Sequence, residues 1–548
     1  MKHLQNQYVI GIDYGTDSCR ALVVDACNGK EMALGIAEYP RWKKGLYCNP
    51  KINQYRQHPL DYIESLESAV HQALAQLSAE ECNCILGLTI DTTGSTPAIT
   101  NAEGQPLALT NQYADDPDAM FMLWKDHTAV KEAEQINDLI KQKHLNYNQY
   151  SGGTYSSEWV WAKVLHVLKK ENPINKDAYA WVEHCDWMSG LLTGNLKPET
   201  MFRSRCAAGH KAMWHEDWGL PSKDYLSQLH TKLGEMRPHL YHDTYTCAKV
   251  AGKLTEEWAD RLGLMPGIAI GVSAIDAHMG AVGASVAPGV FVSIIGTSTC
   301  DIMVSKKEAL KNPCIQGISS QVDGSVIPDY IGIEAGQAAF GDIFAWFKSI
   351  MSWPLSALSD REEAETVKKQ ILNTLAEEAE KISPREDGLI ALDWMNGRRT
   401  PDANQNLKGI IGNLTLGSSA PEIYRSLVES TAFGLKRIIE HMSEQGLEIK
   451  SMNAVGGISK NVPFVMQILA DVIEMPIKVI KSENACALGA AMFAAVVSGI
   501  HSDIAKAQEY MKSAVEKEYA PRAEMREVYN KLYQKYLILG KTAESLIK

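Results

Sequence analysis

Residues Tyr8–Ile12 are apolar, residues 13–18 are polar and glycine-containing, and Ala21–Val24 are apolar and partly β-branched again. The pattern predicts a β-hairpin with buried strands. A second copy stands at residues 289–305, where Gly296-Thr297-Ser298-Thr299-Cys300 repeats Gly15-Thr16-Asp17-Ser18-Cys19 between matching apolar runs. The repeat points to two related halves, each opening with a hairpin. Helical spacing predicts helices over 59–75 and 463–473, a solvated helix over 361–382 and a buried Ala/Gly-rich helix over 486–500. The stretch 500–548 reads as helical. Strands are predicted over 84–90, 268–275 and 452–455. Strands alternating with helices give an α/β class with mixed sheets. Ala-Pro-Gly at 287–289 marks a boundary, so the expected domains are 1–286 and 287–548. One core stops growing at about 250–300 residues, which also requires at least two domains in 548.

Composition is ordinary for a globular chain: 45% hydrophobic and 22% charged residues. The net charge of -12 argues against nucleic acid or an anionic membrane as partner, so an anionic ligand needs a locally built positive site. Eleven scattered cysteines without a C-x-x-C support neither a zinc site nor a disulfide framework, and reduced thiols are expected. The first apolar run is too short for a signal peptide, and the 486–500 run is shorter than a membrane span. A cytoplasmic location follows as the expectation.

Gly540-Lys541-Thr542 imitates the end of a P-loop, but Lys535 occupies the position that needs glycine and no strand precedes it. The hairpin turns are better phosphate binders. Glycine lets backbone N–H groups approach phosphate oxygens, and Thr or Ser hydroxyls add donors. Asp13, where strand meets turn, could hold Mg²⁺ through water. The plainer alternative is a turn that uses Gly, Asp and Ser for geometry alone. The histidines form no metal-binding pattern. Six of the twelve tryptophans fall between 159 and 218, most of them expected in a core or an interface.

The Asp13-Tyr14-Gly15-Thr16 hairpin resembles phosphate loop one of the FGGY carbohydrate kinases. Further matches run along the whole chain. Residues 271–278, GVSAIDAH, look like the family's catalytic-Asp segment, and Gly296-Thr297-Ser298 resembles phosphate loop two. Residues 396–401, NGRRTP, resemble G-E-R-T-P, with Arg398 replacing the common Glu. Residues 456–461, GGISKN, resemble the adenosine motif, and 487–491, ALGAA, the closing helix. YSSEW at 155–159, RCAAGHKAMW at 205–214 and EAGQ at 334–337 are most similar to the bacterial L-ribulokinase subgroup. Glu158 stands where many members carry Lys.

The resemblance implies a two-lobed sugar kinase/actin-like (ribonuclease H-like) fold with a cleft between the lobes. The N-terminal lobe would take the sugar and the C-terminal lobe ATP. It implies ATP-dependent phosphorylation of L-ribulose at O5, with Asp276 as general base; by spacing alone, Asp276 could equally be a helix N-cap. Asp13 would serve Mg²⁺. Gly15, Thr16, Asp17, Ser18, Gly296, Thr297 and Ser298 would contact phosphates. Gly456, Gly457 and Asn461, with Gln337 and Phe340 nearby, would hold the adenosine. Lys211 and Glu334 would bind the sugar, with Ser95, Thr96 and Trp124 as weaker candidates. As an alternative, Lys211 is a solvated surface amine. Other acceptors remain open (xylulose, ribitol, glycerol), as does a non-metabolic actin-like ATPase. The expected partners are a small sugar and ATP, with a homodimer as an option.

Overall fold

The computed structural model describes residues 7–170, 172–358 and 360–546. The chain forms two compact units. The first holds residues up to 285 together with 320–332 and 484–513, and the second holds 286–319, 333–483 and 514 onward. The single crossing expected at 286/287 is therefore supplemented by two returns to the first unit. Each return has a local cause. Ser320 and Ser325 bond the two ring nitrogens of His210 at 2.5 and 2.9 Å. The helix Ala485–Val497 carries the small residues that fit against the first strand.

The first unit is built on strands β1 (Tyr8–Tyr14), β2 (Ser18–Asp25), β3 (Glu31–Glu38), β4 (Ile85–Thr92), β5 (Val250–Lys253), β6 (Ala269–Gly271) and β7 (Ala274–Ile275). Their order is β3-β2-β1-β4-β6-β5, with β7 also on β4. β1 pairs antiparallel with β2 and parallel with β4, and β6 lies parallel to β4 and antiparallel to β5. The second unit carries β8 (Val290–Ile295), β9 (Thr299–Ser305), β10 (Ile331–Ala335), β11 (Ser451–Val455), β12 (Ile477–Ile480) and β13 (Val515–Tyr519). These run in the order β10-β9-β8-β11-β12-β13. β8 is antiparallel to β9 and parallel to β11, β11 is parallel to β12, and β13 closes antiparallel. The two sheets share one plan, as the repeated hairpin predicts.

Both hairpins are tighter than the apolar runs suggest. Residues 13, 14 and 18 lie in strands, leaving three-residue turns at 15–17 and 296–298. The 268–275 run is two strands, broken at Val272–Ser273. β13 was not expected: VEKEY is charged and four of its five residues are exposed, which suits an edge strand and hides its alternation. The helix Pro463–Ile473 matches its sequence bounds, and Arg361–Glu380 buries only Ala364, Leu375 and Ala379.

Small residues fix the centre of the first unit. A Cβ on Gly11 of β1 would lie 1.8 Å from the Ala487 carbonyl oxygen of helix Ala485–Val497. That helix also meets helix Asp276–Gly283, where Cβ atoms on Gly283 and Gly489 would come within 2.0 and 1.9 Å of backbone oxygens. Backbone touches backbone at all three positions, and no rotamer change can relieve an added methyl. Gly11→Ala should cost about 1–3 kcal/mol and lower the thermal midpoint by a few degrees. Gly412→Ala, whose nearest neighbour would be at 3.4 Å, should leave it unchanged in the same calorimetric scan.

Candidate active site

Three neighbouring strands of the first unit deliver three carboxylates. Asp13 and Asp91 are register partners on parallel β1 and β4. β7 pairs with β4 through Ala274–Asp91 and Ile275–Thr92, so Asp276 follows at the first position of its helix. Carboxyl ends of parallel strands are where α/β sheets place ligands. Asp13 and Asp91 are buried, and Asp276 is half-buried and accepts the Ala277 N–H at 2.7 Å. The residue preceding the helix is Ile275, so Asp276 is not its N-cap.

Arg20 is the balancing cation, with Nη1 3.0 Å from Asp13 Oδ2. Among the described residues Asp91 has no hydrogen-bond partner on either carboxylate oxygen. Burial, reinforced by the charges of Asp13 and Asp276, pushes its carboxyl well above the usual range, and Arg20 opposes this. Asp13, Asp91 and the Cys486 sulfur have ligand atoms within 4.8 Å of one another. Burial pushes the Cys486 thiol up, which keeps it a neutral neighbour. The unpartnered Asp91 oxygens beside the Asp13 carboxylate form a hard-oxygen donor set that fits Mg²⁺.

The turn of the first hairpin is braced from below. Trp124 Nε1 donates to Thr16 Oγ1 at 3.0 Å, Gln57 Nε2 to the Thr16 carbonyl at 2.7 Å, and Trp42 Nε1 to Asp17 Oδ1 at 2.6 Å. The Gly15 N–H is spent on Ser18 O, and the Gly296 N–H on Ser298 O, each at 3.0 Å. The glycine amides expected to reach a phosphate therefore close their own turns. The open donors belong to the residues that follow, Thr16 and Asp17 in the first turn. In the second unit, the Thr297 carbonyl accepts the Phe340 N–H at 2.7 Å and the Asp342 N–H at 3.1 Å. This ties the 296–298 turn to the start of helix Gly341–Ser352.

Ser95 and Thr96 are turned inward. Ser95 Oγ bonds Glu183, whose other oxygen accepts the Thr96 N–H at 2.8 Å, and Thr93 and Thr96 hydroxyls lie 3.0 Å apart. Lys163 anchors this turn through carbonyls of Ser95 and Leu123 at 2.9 and 2.7 Å. Burial lowers the Lys163 ammonium to about 8 and raises the Glu183 carboxyl to about 7. Neither hydroxyl is presented for a sugar; the network supports the turn instead.

Lys211 is no solvated amine. It is buried at the end of helix Arg205–Lys211, with Nζ 5.6 Å over the Trp159 ring. Trp161, Trp181 and Trp187 are core residues. Glu334 is buried on β10 of the second unit. Gln337 Nε2 is committed to Asp393 and Thr431 O, both at 2.9 Å, so this amide braces the second unit. Gly456 takes φ 102° ahead of the short helix Gly457–Asn461. An added Cβ on Gly457 would meet nothing within 4 Å, which leaves an open approach there.

The model of the FGGY carbohydrate kinases, N-terminal domain, matches residues 8–283, and that of the C-terminal domain matches 291–498. The chain belongs to the FGGY family of carbohydrate kinases. A ribulokinase from Vibrio parahaemolyticus is 44% identical over 98% of this chain and 96% of its own. A ribulokinase from Halalkalibacterium halodurans is 36% identical over 100% of this chain and 97% of its own. The solved xylulose kinase from Rhodospirillum rubrum superposes with a TM-score of 0.78 at 18% identity, covering 99% of this chain and 100% of that one. The Plasmodium falciparum glycerol kinase with ADP gives 0.73 at 15%, covering 97% and 98%. The FGGY sugar kinase fold is thus shared at low identity, and the chain is an ATP-dependent carbohydrate kinase.

Sequence reading missed Asp91, Arg20 and the Lys163–Glu183 pair. Asp91 had a signal: like Asp13 and Asp276 it ends an apolar strand, as Cys84–Ile90 runs into it. It also missed Asp301 in the second hairpin, which accepts from Ser293 Oγ at 2.5 Å and Thr299 Oγ1 at 3.2 Å. Burial pushes the Asp301 carboxyl up to about 6, against those bonds and Arg399. Between about pH 4 and 6 the folded group keeps a proton that the unfolded group releases, so its contribution falls as pH rises. Asp301→Asn removes that fall. In urea titrations the variant should gain on the wild type by up to about 3 kcal/mol between pH 4 and 7.

Proposed function

We propose that this chain transfers the γ-phosphoryl group of ATP to O5 of L-ribulose, giving L-ribulose 5-phosphate, the ketopentose step of L-arabinose breakdown. The observation that carries the reading is the 44% identity to a ribulokinase along 98% of the chain. The carboxylate cluster fits the chemistry. Asp276 stands at a strand end on a glycine-packed helix and takes the proton of the accepting hydroxyl. It need not be strongly basic, because proton loss can lag behind cleavage at the γ-phosphate. Mg²⁺, when held by Asp13 and Asp91, supplies charge neutralisation at the phosphates. Arg20 keeps Asp13 oriented. Thr16, Asp17, Ser18, Thr297 and Ser298 offer backbone and hydroxyl donors to the phosphates, and Gly456, Gly457 and Asn461 receive the adenosine beside Phe340. Lys211 donates to sugar oxygens and Glu334 accepts from sugar hydroxyls. The working form is expected in the cytoplasm. No described helix is long and apolar enough to cross a membrane.

ADP release should be fastest with L-ribulose and at least tenfold slower with xylulose, ribitol and glycerol. A preference for glycerol would refute the acceptor assignment. Asp276→Asn should lower kcat by about 10²–10⁴-fold with little change in the ATP KM. Undiminished sugar-dependent turnover in that variant would remove Asp276 from the role of base.

A further inference from the structure

The second unit contains a cavity of about 320 Å³ between the 393–402 segment and the helix Arg526–Ser545. None of Gly296, Thr297, Ser298, Gly456, Gly457 or Asn461 lines it. Gln337, expected near the adenosine, does line it, but its amide is committed to Asp393 and Thr431 O, and both phosphate-contact turns and the 456–461 segment lie outside the wall. Its wall is rich in cations: Arg398, Arg399, Arg437 and Lys541. In a chain of net charge -12, four cations around one cavity are a built feature.

Two of the four are already neutralised. Arg398 pairs with Glu544, and Arg437 grips Glu444 through both terminal nitrogens at 3.1 and 3.3 Å. The other two are not. Among the described residues Arg399 has one bond, to the Thr299 carbonyl at 3.5 Å, and no acidic partner within ion-pair distance. Lys541 is exposed and has none either. Of the three acids on the same wall, Asp393 and Glu544 are engaged through their carboxylates, and the Asp402 side chain is exposed. Asp393 is held by Gln337 Nε2 at 2.9 Å and the Tyr536 hydroxyl at 2.8 Å, and Glu544 by Arg398. Asp402 engages Arg398 through its carbonyl. Two unspent cations thus face a cavity whose acids are mostly satisfied.

Lys541 belongs to Gly540-Lys541-Thr542, which imitates a P-loop in sequence. The structure gives the glycine a different purpose. A Cβ on Gly540 would lie 2.9 Å from the Trp394 ring, so its absence lets the helix close on the indole and bring Lys541 to the cavity. Trp394 is itself buried, with the Arg398 guanidinium 4.9 Å over its ring. The volume lies at the lower end for small-ligand sites.

We infer that this cavity is a second ligand site, taking a small phosphate monoester or inorganic phosphate between Arg399 and Lys541. The two sources share the phosphate oxygens that guanidinium and ammonium recognise.

The test is isothermal titration of the full chain, with ADP in excess to fill the nucleotide site and ionic strength held constant. Inorganic phosphate and ribose 5-phosphate are titrated separately. Wild type should bind at least one of them saturably, Lys541→Ala should bind it about tenfold more weakly, and Lys541→Arg within about twofold of wild type. Saturable binding of phosphate marks the bare anion as sufficient, whereas binding of the monoester alone marks a site that also reads the sugar. Absence of saturable binding of either probe in the millimolar range overturns the inference. Equal affinity in wild type and Lys541→Ala does the same.

Discussion

Backbone contact through glycine governs the first unit. Gly11 on β1, Gly283 on the helix that follows Asp276, and Gly489 on helix Ala485–Val497 each leave a gap smaller than a methyl group. Through these contacts one late segment of the chain locks the strand that carries Asp13 against the helix that begins at Asp276. Packing of this kind has few soft degrees of freedom, because a carbonyl oxygen cannot rotate away as a side chain can. Carboxylates that must sit a few ångströms from reacting atoms benefit from such a frame. The small-residue run ALGAA is thus explained by what it permits to approach.

Clustering Asp13, Asp91 and Asp276 is electrostatically expensive, and the fold offsets it sparingly. Arg20 supplies one cation, and Asp91 is held towards its protonated form. A divalent ion placed against Asp13 and Asp91 would relieve the remaining repulsion. The acidic chain as a whole is no obstacle to ATP, because turn amides and hydroxyls bring partial positive charge without a basic surface.

Much of this was legible in the sequence, and the exceptions have physical causes. The hairpins, the helix Pro463–Ile473 and the buried helix near 485 follow from apolar spacing alone. The repeat announced the shared sheet plan. β13 escaped because an exposed, charged edge strand shows no apolar alternation. The return of residues 484–513 to the first unit escaped because chain order does not encode which surface a small-residue helix fits. At the site, strand-end carboxylates could be read from pattern. Hydrogen-bond direction could not: Gly15 and Gly296 use their amides to close their turns, Ser95 and Thr96 point inward, and Gln337 braces Asp393. A residue's type reveals what it can donate, and only its surroundings reveal whether the donor is spent.

The most direct measurement is the position of the phosphate in the product. Phosphorus–proton coupling in NMR spectra of the sugar formed from L-ribulose and ATP should show phosphorus coupled to the C5 methylene protons alone. Coupling to protons on any other carbon, or release of inorganic phosphate without a sugar phosphate, would contradict the assignment of O5 of L-ribulose as the acceptor.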